Sequence, residues 1–294
     1  MRIQCPAKIN LFLEVTGKRA DGYHTLATLF AKIHLYDVLE LEADPSGRME
    51  LTVESENSGI PSGPENLVWK AAESFRRSFR VRQGVRMKLI KRIPSGAGLG
   101  GGSSDAAGAL LGMAKLFDLA RGAAGRLKLR KLGAKLGADV PFFLHPAAFC
   151  LGKGIGDRLT PVPVPKSLPY MVLAYPGVGV PTAQSYARLT RPPRSVVLTR
   201  LSQLDKLLSC LRRGRPIREW EGHLFNRLEE SNLPVLEQVA QARRILERLG
   251  LRGVRMTGSG SGVFGFAASH SDGERVLERL RGYPWRTFLT SCNG

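Results

Sequence analysis

A run of glycines and hydroxyl side chains in the first half of the chain has the composition of a phosphate-binding site. Residues 94–105 read PSGAGLGGGSSD, with five glycines in the seven positions from 96 to 102. Glycines leave backbone N–H groups uncovered, and the start of a following helix adds a partial positive charge, so both favour a bound phosphate. Ser103 and Ser104 can cap that helix or donate their hydroxyls to phosphate oxygens. The run predicts a phosphate-binding loop rather than a flexible linker.

Three common nucleotide-binding classes do not fit this loop. Gly96, Gly98 and Gly101 match the GxGxxG pattern, but a dinucleotide-binding fold needs a second strand that ends in an acidic residue about twenty positions on. Asp118 has that spacing, yet it lies at a predicted helix end with more helix after it, so we interpret the match as coincidental. The sequence contains no GxxxxGKS or GxxxxGKT motif, and the HRD and DFG motifs are absent. P-loop NTPases and protein kinases are therefore excluded.

Apolar periodicity and turn residues predict the elements that position the loop. Before it we expect a helix capped by Asn66, and strands at 9–15, 25–35, 38–42, 49–54 and 85–89. After it we expect helices at about 103–119 and 124–136, then a turn at residues 139–141. Prolines between 161 and 169 indicate a linker. The sequence therefore predicts two domains, residues 1–160 and 161–294.

The second half of the chain has the element order of a ferredoxin-like, split βαβ domain. Its predicted elements are a strand at 170–175, helices that include 233–249, strands at 253–257 and 263–267, a helix at 272–281 and a strand at 286–290. Together with the first half, this order predicts an α+β protein.

The net charge and the spacing of the cysteines indicate which partners and which kinds of site to expect. The 294 residues carry 44 Lys and Arg against 25 Asp and Glu, a net charge of +19. This charge favours anionic partners such as nucleic acid, phosphorylated metabolites or an acidic membrane surface, or it is a solvated basic exterior. The four cysteines are widely spaced, which predicts reduced thiols and neither a zinc site nor a disulfide framework. Lys8 and Glu14 argue against a signal peptide, so we expect a cytoplasmic protein.

Several segments, taken in order, resemble the GHMP small-molecule kinases. Three of them, residues 6–11, 94–104 and 256–262, resemble motifs of the whole superfamily. Residues 18–24, 136–141 and 176–182 resemble the branch that phosphorylates the 2-hydroxyl of a cytidine-diphosphate-linked sugar alcohol in the non-mevalonate route to isoprenoid precursors. The resemblance implies ATP as co-substrate with Mg²⁺. It also implies a ribosomal-protein-S5-domain-2-like N-terminal domain followed by the ferredoxin-like domain.

The resemblance implies catalytic roles for two residues. Asp139 is the candidate general base for the acceptor hydroxyl, and Lys8 is the cation expected beside it. A nearby cation keeps a carboxylate ionised and can polarise a hydroxyl. Without the resemblance, Asp139 would cap the turn after a helix, and Lys8 would be an exposed lysine at a strand edge.

The resemblance also implies a substrate site. Tyr23 and Tyr186 are expected to sandwich the cytosine, because both partners present flat faces, and His24 to read its edge. Asn10 is expected to bond the polyol or phosphate, and Thr182 to contact the substrate side of the cleft.

For ATP, the resemblance implies an adenine pocket lined by Asn66 and Leu67, with Lys91 on the strand that leads to the loop. Asp105 stands where some members have Asn, and it could help to hold Mg²⁺ or face solvent, so its role is open. The glycine-serine turn at 257–262 is expected near the acceptor. The phosphates would be held by Pro94, Ser95, Gly96, Ala97, Gly98, Leu99, Gly100, Gly101, Gly102, Ser103 and Ser104.

Two other functions stay open at this point. A GHMP kinase with a non-nucleotide acceptor would not arrange Tyr23, His24 and Tyr186 around a base-sized slot. An RNA-binding protein is the second alternative, because the chain is basic and N-terminal domains of this type resemble a ribosomal-protein fold. It would show steeply salt-dependent RNA affinity and no ATP turnover. The main interpretation expects small-molecule partners only, no nucleic acid or membrane, and a monomer or weak homodimer.

Overall fold

The computed structural model describes residues 1–56, 59–190 and 192–292. The chain forms two compact units, and each is built from separate stretches of sequence. The first unit comprises Met1–Ala7, Leu35–Pro94 and Gly100–Pro146, and the second comprises Lys8–His34, Ser95–Leu99 and Ala147–Gly294. Both units are discontinuous because two long strands, β1 (Arg2–Lys18) and β2 (His24–Asp44), and the glycine run contribute residues to each. The boundary between residues 160 and 161 stays a prediction.

The first unit combines strands with four helices in its described residues. Besides parts of β1 and β2, its elements are β3 (Met49–Glu54), α1 (Leu67–Phe79), β4 (Gly84–Ile90), α2 (Gly101–Leu116), α3 (Gly122–Leu136) and α4 (Val140–Leu144). The end of β2 pairs antiparallel with β4, from Val38 opposite Ile90 to Asp44 opposite Gly84, and β3 pairs parallel with β4.

Close packing of α2 on the strands depends on two of its glycines. A Cβ at Gly108 would lie 2.4 Å from Cys5 Sγ, and one at Gly112 would lie 2.7 Å from Leu41 Cδ1. Both distances are far below van der Waals contact, so the helix can approach β1 and β2 this closely only because these positions lack side chains.

The second unit contains the predicted split βαβ arrangement. Its strands are β7 (Met171–Tyr175), β9 (Arg252–Met256), β10 (Val263–Phe266) and β11 (Arg286–Thr290). They form an antiparallel sheet with the order β11-β7-β10-β9, in which the first and last strands of the motif are neighbours. This order confirms the ferredoxin-like interpretation.

The other strands of the second unit surround the first half of β2. Leu26 to Ala31 pair antiparallel with β5 (Phe149–Gly154), which forms a hairpin with β6 (Arg158–Pro161). β1 pairs parallel with the two-residue strand β8 (Phe225–Asn226). The helices of this unit are α5 (Thr182–Ala187), α6 (Arg194–Arg212), α7 (Glu229–Asn232), α8 (Glu237–Arg248) and α9 (His270–Leu280).

Several elements differ from the prediction. The strands expected at 25–35 and 38–42 are one continuous strand, β2, because residues 36 and 37 contain no glycine or proline to end it. The helix expected at 233–249 begins only at Glu237, since Pro234 interrupts the pattern after α7 ends at Asn232. The hairpin of β5 and β6 was not predicted. Among the described residues, no helix is both long and apolar enough to cross a bilayer.

Candidate functional site

The second unit holds residues 95–99 of the glycine loop by their carbonyl groups. Gly96 O accepts hydrogen bonds from the N–H groups of Val180 and Ser261 at 3.3 Å each. Ala97 O accepts from Gly262 N at 3.0 Å, and Leu99 O accepts from Lys8 N at 2.9 Å. These carbonyls are therefore occupied by partners from three separate segments of the unit.

The backbone N–H groups of the same segment, unlike its carbonyl groups, are not bonded to other described residues of the unit. In the described part of the chain, the N–H groups of residues 96–99 donate no hydrogen bond. Gly96 and Gly98 have φ angles of +71° and +74°, in the left-handed region that glycine adopts without strain. A backbone segment with bonded acceptors and uncommitted donors presents positive partial charge, which suits an anion.

The 257–262 turn packs directly against this segment. A Cβ at Gly98 would lie 2.1 Å from Thr257 O, and a Cβ at Gly258 would lie 2.9 Å from Gly98 O and 3.2 Å from Lys8 Nζ. Both positions therefore require glycine for space as well as for conformation. The two glycine motifs, 160 residues apart in sequence, interlock within one unit.

We expect Gly98→Ala to damage this unit more than a glycine substitution with equal backbone strain. A side chain in the left-handed region costs about 1–2 kcal/mol at either position, but only Gly98 adds a clash with a backbone oxygen. Gly250, with φ +83° and nothing within 4 Å of its Cβ position, provides the control Gly250→Ala. Thermal unfolding and binding of an ATP analogue measure the difference. Equal losses in the two variants would contradict the interlock.

Lys8 and Asn10 lie in a buried chain of hydrogen bonds. Lys8 Nζ donates to Asn10 Oδ1 at 2.7 Å, and Asn10 Nδ2 donates to Thr28 Oγ1 at 2.7 Å. The Asn10 backbone N–H donates to Thr257 Oγ1 at 3.1 Å, which ties the strand to the turn. Lys8 is only 4% exposed, so the alternative of an exposed lysine at a strand edge is wrong. Its ammonium is held in a fixed place by Asn10.

Buried amides that the sequence did not single out fix the 257–262 turn. Asn226 Nδ2 donates to the carbonyls of Met256 and Gly258 at 2.8 Å each. Asn232 Nδ2 donates to Ser259 O at 2.8 Å. The only local sign of burial is that both asparagines lie in a segment, residues 224–236, that is rich in apolar residues. Their carbonyl partners lie 27 to 32 residues further along the chain, where no sequence pattern points to them.

The expected substrate residues on the second unit have different environments. Thr182 Oγ1 and Ser259 Oγ are 3.1 Å apart, which places Thr182 against the 257–262 turn. The His24 and Tyr186 rings stack, with centroids 5.1 Å apart and an interplanar angle of 21°. Burial, and then Lys18, lower the pKa of His24, so its ring stays neutral at physiological pH. Tyr23 is 61% exposed. The structure brings His24 together with Tyr186, and the cytosine sandwich stays a prediction.

In the first unit, the loop continues into α2 beside the expected adenine residues. A Cβ at Gly102 would lie 3.6 Å from Leu67 Cδ1, so Leu67 borders the first turn of α2. Asn66 is the N-cap of α1: its Oδ1 accepts from Val68 N at 2.8 Å, and its Nδ2 donates to Pro61 O at 2.7 Å. The hydroxyl of Ser104 is buried and has no hydrogen-bond partner among the described residues.

Lys91 is buried between two carboxylates. Its Nζ donates to Asp105 Oδ2 at 2.6 Å and also to Asp37 Oδ2. Asp37 Oδ1 additionally accepts the N–H groups of Arg92 and Ile93, at 2.5 and 2.9 Å. Asp105 is 2% exposed, so the expectation that it could face solvent is wrong. No local sequence pattern indicates a role for Asp37, because its partners lie 54 to 56 residues away.

These surroundings raise the pKa values of Lys91 and Asp105. Burial opposes the charge on Lys91, but Asp105 and Asp37 outweigh it and raise the pKa of Lys91. Burial raises the pKa of Asp105 to about 7, with Lys91 opposing the shift and Asp37 adding to it. Lys91 is therefore charged at neutral pH, and Asp105 is poised between its two protonation states.

Asp139 lies in a short turn between α3 and α4. The turn begins where Gly137 N donates to Gly133 O at 3.1 Å, and a Cβ at Gly137 would lie 3.7 Å from Ser103 Oγ. This contact places the turn beside the first residues of α2. The Asp139 side chain makes no capping hydrogen bond to the N-terminus of α4.

Comparison with known proteins gives a consistent result. Residues 66–146 match the model of the GHMP kinases N terminal domain, and residues 203–284 match the GHMP kinases C terminal model. A protein named 4-diphosphocytidyl-2-C-methyl-D-erythritol kinase from Citrifermentans bemidjiense is 38% identical, over 92% of this chain and 91% of its own. A protein of the same name from Geobacillus kaustophilus is 36% identical, over 100% of this chain and 97% of its own.

Solved structures agree with these relatives. A crystal structure of 4-(cytidine 5'-diphospho)-2C-methyl-D-erythritol kinase superposes with a TM-score of 0.80 at 36% identity, covering 100% of both chains. A homoserine kinase from Cytophaga hutchinsonii has a TM-score of 0.77 at 15% identity, with 99% of this chain and 94% of that chain covered. At that identity the second likeness concerns the fold alone.

Proposed function

Because the chain belongs to the GHMP kinases, in the family of its relatives named 4-diphosphocytidyl-2-C-methyl-D-erythritol kinase, we propose that it phosphorylates the 2-hydroxyl of 4-diphosphocytidyl-2-C-methyl-D-erythritol with ATP. This is a step of the non-mevalonate route to isoprenoid precursors. The observation that carries the proposal is the glycine loop, whose carbonyls at residues 96, 97 and 99 are bonded while the N–H groups of residues 96–99 are not. Such a backbone favours the oxygens of a triphosphate.

We assign the phosphates of ATP to residues 94–104. The first turn of α2 contributes the positive end of a helix of 16 residues, and the unpartnered Ser104 hydroxyl offers one further donor. Leu67 borders this turn and suits an adenine pocket, with Asn66 fixing the start of α1 beside it. Lys91 adds a buried positive charge close to Gly101.

Mg²⁺ enters this reaction with the nucleotide. In the described part of the chain, no group of three His, Cys, Asp or Glu side chains could hold a metal ion. A Mg²⁺ ion bound to the triphosphate would neutralise part of its charge.

The acceptor chemistry is assigned to Asp139 and Lys8. Asp139 would accept the proton of the 2-hydroxyl as its oxygen attacks the γ-phosphorus and ADP leaves. Lys8 would keep that carboxylate ionised and orient the hydroxyl. The burial of Lys8 and its bond to Asn10 support this role, because an ammonium with a fixed position orients a substrate better than a mobile one.

The cytidine end of the substrate is assigned to Tyr23, His24 and Tyr186, with Thr182 and Asn10 on the sugar-alcohol side. The stacked pair of His24 and Tyr186 supports an aromatic platform, because a flat base can extend such a stack. The proposal includes small-molecule partners only, without nucleic acid or membrane, a cytoplasmic location and a monomer or weak homodimer.

Release of ADP from Mg-ATP tests the proposal directly. We expect turnover with 4-diphosphocytidyl-2-C-methyl-D-erythritol and none with homoserine or mevalonate. Turnover with one of these two alcohols instead would keep the kinase and overturn the acceptor. No turnover with all three, together with salt-dependent RNA binding, would favour the RNA-binding alternative.

A further inference from the structure

A buried charge cluster in the first unit surrounds Lys91 with two carboxylates that have no role in the chemistry assigned so far. It consists of Asp37 on β2, Lys91 just after β4 and Asp105 in the first turns of α2, and their side chains are at most 6% exposed. The Lys91 ammonium bonds one oxygen of each carboxylate. The second oxygen of Asp37 accepts two backbone N–H groups, but Asp105 Oδ1 is buried without a hydrogen-bond partner in the described residues. A buried carboxylate oxygen without a partner is costly, and the cost falls when the carboxyl takes up a proton and loses its charge.

The cluster lies beneath the place assigned to the phosphates. Lys91 Nζ is 3.2 Å from the Cβ position of Gly101, the first residue of α2. Asp37 holds the backbone of Arg92 and Ile93, the residues that lead into the glycine loop. With both carboxylates ionised, the cluster has a net charge of −1, which repels a polyphosphate at the start of α2. One proton on Asp105 brings the cluster to neutrality.

We propose that Asp105 is a positioning residue for the nucleotide: it takes up one proton when the polyphosphate of ATP binds at the start of α2, so that Lys91 faces the phosphates without a surplus negative charge. This inference rests on the proposed function, because it assumes that ATP occupies the loop. The proton comes from solvent and is placed on the unpartnered Oδ1. No bond of the nucleotide forms or breaks in this step.

The titratable groups that face Asp105 are Lys91, Asp37 and, from β1, Cys5. Burial, followed by Asp105 and Asp37, raises the pKa of Cys5 well above its ordinary value, so this thiol stays neutral. The pKa of Lys91 is also raised, so Lys91 stays charged. Asp105, with a pKa of about 7 in the free protein, is therefore the group that titrates near neutrality.

The sign of the effect follows from linkage. Bound phosphate raises the pKa of Asp105 above its value in the free protein, because negative charge nearby favours the protonated carboxyl. Below pH 7 the proton is present before ATP arrives, and affinity is highest. As the pH rises above 7, binding must also bring the proton, and affinity falls. A difference of one pKa unit between the two states gives about a tenfold loss.

The test compares the wild-type protein with Asp105→Asn, whose amide keeps the size and the acceptor of the carboxyl but cannot titrate. Calorimetry gives the dissociation constant of Mg-ATP from pH 6 to pH 9 for both. Titration of the ligand itself is common to both proteins, so their ratio isolates Asp105. We expect wild type to weaken about tenfold relative to Asp105→Asn across this range. Asp118→Asn, at an exposed aspartate of the same unit, should follow the wild-type profile.

A second measurement keeps the inference falsifiable if the variant does not fold. Calorimetry of the wild-type protein at pH 7.5, in buffers with different ionisation enthalpies, counts the protons taken up per ATP bound. We expect net uptake by wild type beyond that of the ligand, and none by Asp105→Asn. ATP binding without this uptake, or parallel pH profiles, would overturn the inference alone. No ATP binding at any pH would overturn the proposed function and the inference with it.

Discussion

Replacing Asp139 by asparagine is expected to lower kcat by about 10²–10⁴-fold, the usual contribution of a general base. The amide has nearly the same size as the carboxylate, but it cannot accept the proton of the acceptor hydroxyl. ATP affinity should change little, because the phosphates are assigned to the glycine loop rather than to the turn that carries Asp139. Rapid-quench measurement of phosphoryl transfer, with ATP binding measured in parallel, separates the two effects.

Asp118 offers a matched control for this substitution. It is an exposed aspartate of the same unit, and its φ of +55° is one that asparagine adopts readily. Asp118→Asn should retain wild-type kcat. If Asp139→Asn retained more than about a tenth of the wild-type rate, Asp139 would not be the base.

The second large effect concerns stability. Arg227 Nε and its amino group bond both carboxylate oxygens of Glu14, with Nε 2.8 Å from Oε1, and the two side chains are 2% and 0% exposed. Replacing Arg227 by methionine leaves Glu14 charged and buried, which costs about 3–5 kcal/mol. For a domain of this size, the unfolding midpoint should fall by at least about 6 °C. Differential scanning calorimetry measures the shift.

Two variants test the explanation for this loss. Glu230 also bonds Arg227 but is 54% exposed, so Glu230→Gln should cost less than about 1 kcal/mol. Combining Arg227→Met with Glu14→Leu removes both charges, and apolar replacement of a whole buried pair is often nearly neutral. The double variant should therefore recover much of the lost stability. If it were no more stable than Arg227→Met, the cost would arise from packing rather than from an unpaired charge.

The sequence alone predicted those helices, strands and turns that are determined by residues close together in the chain. The helix capped by Asn66 has its apolar residues at i, i+3, i+4 and i+7, and these residues are buried as expected. The order of strands and helices after residue 170 gave the ferredoxin-like topology, because each element there has its own periodicity. The glycine loop was predicted between a strand and a helix for the same reason.

The features that were missed depend on distant partners. The Glu14 carboxylate and Asp37 are buried charges whose partners are 213 and 54 residues away, so nothing near them in sequence indicates burial. The sequence around Asp105 fits either a metal ligand or a solvated acid, whereas the structure buries this side chain against Lys91. The short helix α4 was missed because its five residues contain less than two turns of periodicity.

The bonds between the glycine loop and the 257–262 turn have a consequence for synthesis and for dissection of the chain. A fragment that ends at residue 160 contains the complete PSGAGLGGGSS segment but lacks the N–H groups of Val180, Ser261 and Gly262, which hold the carbonyls of Gly96 and Ala97. During translation, the last of these partners, Ser261 and Gly262, are added about 160 residues after the loop. The glycine loop therefore lies in the first half of the sequence, but several of the groups that hold its backbone are synthesised near the end of the chain.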